Sequence, residues 1–395
     1  MLYRFNLMKL YAYQERARDY LIEKKRALLA FSMGLGKTFI ALAAAERLNL
    51  PTVIICPAFM KYTWADALKL FNIHDVRIET WSNIKMNSIP SVLIADESHY
   101  AKGPMAQRTI AFMQLAECVR EKKNGYVWLL SGTPAKNAAA ELYCQFKSIG
   151  MTKYHSYAEF ADDFSLEYMV KYGNMRKEEK KYRGVKNIEK LRELYKEFMW
   201  VMRTEEAVEL PKQIKKKILN DFSVFNEEDL SLYRSDVDSF MKKNFSTKKQ
   251  QQALMNVKQT RALAQDLEDT FEKIVIFSDH VSPAVELARD LKCDVISGDV
   301  AMDKRHDIIE RFKLSGRHLC CTIGAAGVGL NLQFANCMIF NDLPWDAASL
   351  LQAEKRIHRI GQSEHCHYFY IIDPGMGEVI YRVLERKIAD LEQIR

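Results

Sequence analysis

Short aliphatic runs, each closed by a polar or turn residue, recur along the first third of the chain. They are residues 27–31 (ALLAF), 52–56 (TVIIC), 91–95 (SVLIA) and 127–130 (VWLL). Apolar runs of this length, with no polar alternation, predict strands buried on both faces. Helically spaced stretches, residues 39–48 and 106–120, lie between them. Such alternation predicts a parallel sheet covered by helices, because each parallel strand needs a crossover to the next. The scheme then repeats. Residues 273–277, 294–296, 320–323 and 337–341 read as strands, and 283–291 and 303–314 as helices. The chain is therefore expected to be α/β with two parallel-sheet lobes, residues 1–150 and 268–375. Between them, residues 151–267 are basic, rich in Tyr and Phe, and mostly helical in pattern. That stretch is too long for a loop and predicts helical insertions. The closing residues 376–395 are expected to form an amphipathic helix bracing the lobes.

The composition, 48% hydrophobic and 28% charged over 395 residues, fits ordinary soluble cores and gives no sign of disorder. A net charge of +7 is compatible with a polyanionic partner without requiring one. The basic stretch running through Arg176, Lys177, Lys180, Lys181, Arg183, Lys186 and on to Lys212, Lys215, Lys216 and Lys217 sharpens that only partly. Interleaved Glu178, Glu179, Glu189 and Glu193 allow a solvated helix face as readily as a phosphate-contacting surface. The eight cysteines include no CxxC pair and no Cys/His cluster with zinc spacing, and read as buried hydrophobes in a reducing compartment. No secretory leader and no bilayer-spanning run is evident.

Candidate chemistry sits at the ends of the expected strands. Ser32-Met-Gly-Leu-Gly-Lys-Thr38 lies between a strand and a helix, the context a phosphate-binding loop needs. Gly34 and Gly36 let backbone N–H groups turn towards phosphates, Lys37 offers its ammonium to the β- and γ-phosphates, and the Thr38 hydroxyl can ligate Mg²⁺. The strict pattern has glycine where this chain has Phe31, so the loop alone is only suggestive. Asp96 and Glu97 follow the apolar run at residues 91–95. An acidic pair there can hold Mg²⁺ through Asp96 and activate water through Glu97, whereas an acidic turn capping a helix is the bland alternative. Ser131-Gly132-Thr133 leaves a third strand, either as a plain turn or as an element coupling the site to its load. Far along the chain, Arg356 and Arg359 are three apart and are expected on one helix face. Fixed guanidinium charges suit a phosphoryl transition state, although a basic surface helix would look the same in isolation.

Taken in order, these motifs resemble the Swi/Snf-type branch of the superfamily-two helicases over nearly the whole chain. Leu10-Tyr-Ala-Tyr13-Gln14 is similar to the family's nucleotide-sensing element, Ser32 to Thr38 to motif I, and Ile55-Cys56-Pro57 with Trp64 to motif Ia. Asp96 to His99 resembles motif II, and Ser131 to Pro134 with Asn137, Glu141 and Leu142 resembles motif III. Val201-Met-Arg203 with Leu210-Pro211-Lys212 is similar to the family's connector. Ala325 to Leu332 resembles motif V, and Gln352 to Gln362 motif VI. Tyr157 to Phe164 and Gly184 to Leu194 are closest to the fork-remodelling members. The departures are Phe31-Ser32 for an acidic pair, Ser98 for Ala, Gly103 for Asn, and Asp346-Ala347 for Asn-Pro. None removes a catalytic group.

The resemblance implies two RecA-like lobes using ATP and Mg²⁺. ATP binding falls to Gln14, Gly34, Leu35, Gly36, Lys37, Thr38 and Gly329, and catalysis to Lys37, Asp96, Glu97, Arg356 and Arg359. Coupling falls to Ser131, Thr133 and Gln352. DNA contacts are expected at Pro57, Trp64, Ser82, Ser278, Ala325, Gly327, Lys215 and Lys216. The implied activity is translocation on double-stranded or branched DNA by a monomer. The alternatives are a strand-separating DNA or RNA helicase, and the motor subunit of a larger nuclease or defence complex. No nuclease or methyltransferase motif is present in the sequence. The lean layout suggests a prokaryotic or viral source and a cytoplasmic location.

Overall fold

The computed structural model describes residues 10–171, 178–235, 240, 245–326 and 330–394. The chain divides into two compact units, Met1–Val208 with Ala389–Arg395, and Glu209–Ile388.

The first unit is built on strands β1 (Arg26–Phe31), β2 (Thr52–Cys56), β3 (Val76–Thr80), β4 (Val92–Asp96) and β5 (Tyr126–Leu130). A hairpin of β6 (Leu166–Lys171) and β7 (Glu178–Arg183) stands apart from this sheet, and β8 (Met199–Met202) rejoins it. The sheet order is β3-β2-β4-β5-β1-β8, every neighbouring pair parallel. Both faces of β2, β4 and β5 are buried, the reason their sequences run apolar without alternating. Helices Lys37–Leu48 and Gln107–Glu121 bury Ile40, Ala41 and Ala44, and Phe112, Leu115 and Val119. The indole of Trp128, fully buried, donates to the Leu21 carbonyl at 2.9 Å and ties the N-terminal helix Ala12–Lys24 to β5.

The second unit repeats the plan with β9 (Gln213–Leu219), β10 (Ile274–Ser278), β11 (Asp294–Ile296), β12 (His318–Thr322), β13 (Cys337–Phe340) and β14 (Cys366–Ile372). Their order is β11-β12-β10-β13-β14-β9, again all parallel. A buried polar clamp fixes β13 to the long helix Phe245–Asp266. Asn341 donates to the Ala253 carbonyl at 2.9 Å, and accepts from Asn256 and Thr260 at 2.7 Å each. The fold class is the expected α/β one, two parallel-sheet lobes with helices between the strands.

The middle of the chain departs from its expected helical character. Residues 151–267 contain helices, but also the β6–β7 hairpin, the last strand of the first sheet and the edge strand of the second. The reason is position. An edge strand needs only one paired side and tolerates lysine facing solvent, so Gln213-Ile-Lys-Lys-Lys-Ile-Leu219 hides its strand character behind charge. Among the described residues no helix is long and apolar enough to cross a membrane.

Candidate active site

β4, β5 and β1 are consecutive neighbours in the first sheet, and their carboxyl ends deliver the three motifs side by side, where ligands of open α/β sheets bind. After β1 the chain turns through Gly34 (φ 86°) and Gly36 (φ 75°) and enters helix Lys37–Leu48 directly. The positive φ of Gly36 favours glycine there, and a Cβ would also lie 2.4 Å from Gln14 Nε2 and displace the end of that side chain. Gln14 Nε2 and Tyr13 OH each donate to the Leu35 carbonyl at 3.2 Å, and Gln14 Oε1 accepts from the Tyr11 N–H at 3.0 Å. The Tyr-Gln element is thereby pinned to the loop. Lys37 Nζ donates to the carbonyls of Phe31 at 2.8 Å and Ser32 at 3.3 Å, contacts that phosphate oxygens would replace.

Asp96 is buried at the end of β4. Its Oδ2 accepts from Trp64 Nε1 at 2.7 Å and its Oδ1 from the Glu97 N–H at 3.0 Å, while Trp81 Nε1 donates to its carbonyl at 2.9 Å. Glu97 adopts φ 49°, and its Oε2 lies 3.2 Å from His99 Nδ1. That nitrogen is also 3.2 Å from Ser131 Oγ, which accepts from the Thr133 N–H at 3.1 Å. A second link joins the same motifs, from Ser98 Oγ to Gln145 Oε1 at 2.7 Å and from Gln145 Nε2 to the Pro134 carbonyl at 2.6 Å. Burial first, and then the neighbouring Glu97, push the Asp96 carboxyl up to about 7, against the pull of Trp64 and Lys37. Burial acts upward on Glu97 too, but His99 and Lys37 outweigh it and hold its carboxyl low. A carboxylate this buried favours a cation nearby. The oxygen-only pair of Asp96 and the Thr38 hydroxyl fits a hard ion such as Mg²⁺.

In the second unit, helix Ala347–Glu354 carries Gln352 and ends before both arginines. Arg356 and Arg359 therefore lie in the turns that follow and do not share a helix face, a correction to the spacing argument. Within these turns His358 is anchored to the start of β9 and the segment before it. Its Nδ1 lies 2.7 Å from Gln213 Nε2, and its Nε2 2.8 Å from the Pro211 carbonyl. Gln362 Nε2, donating to the Ala335 carbonyl at 2.8 Å, fixes the far end of the turn. The Leu332 N–H donates to the Arg356 carbonyl at 3.2 Å, joining the segments expected as motifs V and VI. Burial lowers the pKa of the Arg359 guanidinium.

The expected DNA contacts fare unevenly. Ser82 is exposed, its hydroxyl 3.1 Å from that of Thr80, and Lys216 is exposed on the edge strand. Trp64 is fully buried and serves Asp96, so it is a support for the acidic pair and not a DNA contact. Ser278 is buried and donates to Asp342. Ala325 is buried, its N–H directed to Thr322 Oγ1 at 3.4 Å, and Pro57 is buried too. Lys215 is held by the buried Glu354 at 2.7 Å. Gly327 and Gly329 lie outside the described residues. The links through His99, Gln145 and Trp81 had no assigned role. Gln145 in particular is spaced from both motifs and carries no local signal.

Comparison with known families matches residues 73–271 to the SNF2-related domain and residues 246–361 to the helicase conserved C-terminal domain. The phosphate loop precedes the first match. The chain is similar to the Xenopus tropicalis SWI/SNF-related matrix-associated actin-dependent regulator of chromatin subfamily A-like protein 1. Identity is 26%, covering 93% of this chain and 43% of that protein. It is 25% identical to the Homo sapiens DNA annealing helicase and endonuclease ZRANB3, covering 92% of this chain and 38% of the other. The chain thus spans about two fifths of these relatives. Both are animal proteins, which lends no support to a prokaryotic or viral source. A solved Sulfolobus solfataricus SWI2/SNF2 ATPase core in complex with dsDNA covers 100% of this chain and 94% of its own, with 20% identity and a TM-score of 0.44. Since the SNF2-related match alone takes in half of its residues, the chain belongs to the SNF2 family of helicase-type ATPases.

Proposed function

We propose that the protein is an ATP-driven translocase on double-stranded DNA that remodels forks, branches or protein–DNA complexes, converting ATP to ADP and phosphate. The observation that carries the ATPase half is the convergence of Lys37, Asp96, Glu97 and Ser131 at the carboxyl ends of three adjacent parallel strands. Lys37, released from the loop carbonyls, binds the β- and γ-phosphates, and the loop N–H groups cradle them. Thr38 and Asp96 are the residues that would hold Mg²⁺, whose charge offsets that of the phosphates. Glu97, kept ionised beside His99, orients the attacking water and takes its proton. Arg356 and Arg359 are the residues that the family resemblance assigns to the charge developing on the transferring group. The contact from Glu97 through His99 to Ser131 and Thr133 gives hydrolysis a route into the motif that senses the load.

Duplex DNA as the track rests on membership of the family and on relatives named for chromatin regulation and DNA annealing. The test is the ATPase rate of the purified protein against single-stranded, blunt duplex, forked and four-way DNA. Duplex should stimulate at least as well as single strands, and the protein should displace a triplex strand without melting a plain fork. Robust fork unwinding with stimulation only by single strands would establish the strand-separating alternative.

A further inference from the structure

Glu97 follows β4 with φ 49° and ψ 51°, the left-handed region that a residue with a Cβ keeps only where its neighbours hold it. Two holds are local. Asp96 Oδ1 accepts from the Glu97 N–H at 3.0 Å, and the Tyr100 N–H donates to the Glu97 carbonyl at 2.9 Å. A third comes from outside the turn. Ser98, fully buried, donates its hydroxyl to Gln145 Oε1 at 2.7 Å. Ser98 stands where the family that the motifs resemble has Ala, and Ala could make no such bond.

Gln145 is itself fully buried, on helix Leu142–Ser148. Its Nε2 donates to the carbonyls of Pro134 at 2.6 Å and Glu141 at 3.1 Å. Two carbonyls at that end admit only the N–H side of the carboxamide, so its oxygen has to face Ser98. Glu141 closes the same turn, its Oε2 accepting from the Lys136 N–H at 2.6 Å and its Oε1 from Asn137 Nδ2 at 3.1 Å. One side chain therefore ties the turn after β5 to the turn after β4. Neither polar end can be left unpaired in this dry interior without cost, and a packed interior transmits displacement. A shift of the Pro134 turn is thus passed through Gln145 and Ser98 to the backbone of Glu97.

We propose that Gln145 is a positioning residue for hydrolysis, holding Glu97 through Ser98 so that its carboxylate meets the attacking water only while the Pro134 turn keeps its place. This path includes neither His99 nor Ser131, and it rests on Glu97 acting as the base.

The test is the steady-state ATPase of the full chain at saturating duplex DNA, in Ser98→Ala, Gln145→Leu and the doubly substituted protein. Binding of a fluorescent ATP analogue and thermal unfolding are measured alongside. Each single change should lower kcat about tenfold, with the KM for ATP and analogue affinity within about twofold of wild type. The double variant should be no slower than the slower single one, because both side chains serve one link. A role in stability alone would lower the unfolding temperature and leave kcat per folded molecule unchanged, and that result overturns the inference. Losses that multiply in the double variant overturn it too. Undiminished turnover in Glu97→Gln would instead overturn the base assignment beneath it.

Discussion

At the level of single residues, the acidic pair shows how one strand end yields two different carboxyls. Asp96 and Glu97 are adjacent, yet burial and mutual repulsion raise the first while His99 holds the second low. The roles separate accordingly, one carboxylate held for a cation and the other kept ready to accept a proton. Glu97→Gln should bind ATP and Mg²⁺ as wild type and turn over about a hundredfold more slowly or worse. Trp64→Phe should leave turnover at saturating Mg²⁺ nearly intact and raise the Mg²⁺ concentration needed for half-maximal rate severalfold. The indole N–H that orients Asp96 would be lost, a loss of about 1.5–3 kcal/mol for a bond to a charged group. Mg²⁺ titrations of the steady-state ATPase distinguish the two outcomes, and wild-type turnover by Glu97→Gln would refute its assignment as base. The sequence marked both carboxylates but misplaced Trp64, because spacing cannot tell an indole facing a ligand from one turned inward.

Among the elements, β10 and β13 are joined at their ends by Asp342, a buried acid that accepts from Ser278 Oγ and lies 3.1 Å from His280 Nδ1. Burial alone would raise its pKa, but His280, Lys249 and Ser278 together lower it. A carboxyl depressed in the fold stabilises above its unfolded value of about 4, and that stability is lost as pH falls through the folded value. Asp342→Asn should therefore cost about 2–3 kcal/mol at neutral pH, with the difference from wild type shrinking below about pH 4. Urea unfolding at several pH values checks this, and a pH-independent difference would show that packing, not charge, is what Asp342 supplies. The same scale explains which elements the sequence showed. Most central strands, apolar on both faces, were visible, but the interior strand β14 was not recognised, nor were β3, β6, β7, β8 and β9. Lysines at the solvent edge obscured β9, and arginine and glutamate did the same in β3.

For the molecule as a whole, the proposed chemistry requires the late arginines as well as the phosphate loop. Arg359→Ala, and separately Arg356→Ala, should lower kcat about a thousandfold while DNA affinity stays within a fewfold of wild type. Loss of DNA binding with an unchanged DNA-independent rate would make those turns a DNA contact instead. The sequence by itself determined that the chain forms two parallel-sheet lobes and carries a phosphate loop, an acidic pair and late arginines, in the order of one family. These features are local, because a loop, its flanking strand and its helix are contiguous and their residue types are dictated by backbone and charge. Only the tertiary structure decided that Trp64, Ser278 and Ala325 face inward, that the arginines sit in turns, and that His99 and Gln145 join two motifs. It also decided that β8 and β9, close in sequence, complete different sheets. Each of these depends on which distant residue supplies the missing hydrogen-bond partner or buried face, and no local pattern along the chain encodes that choice.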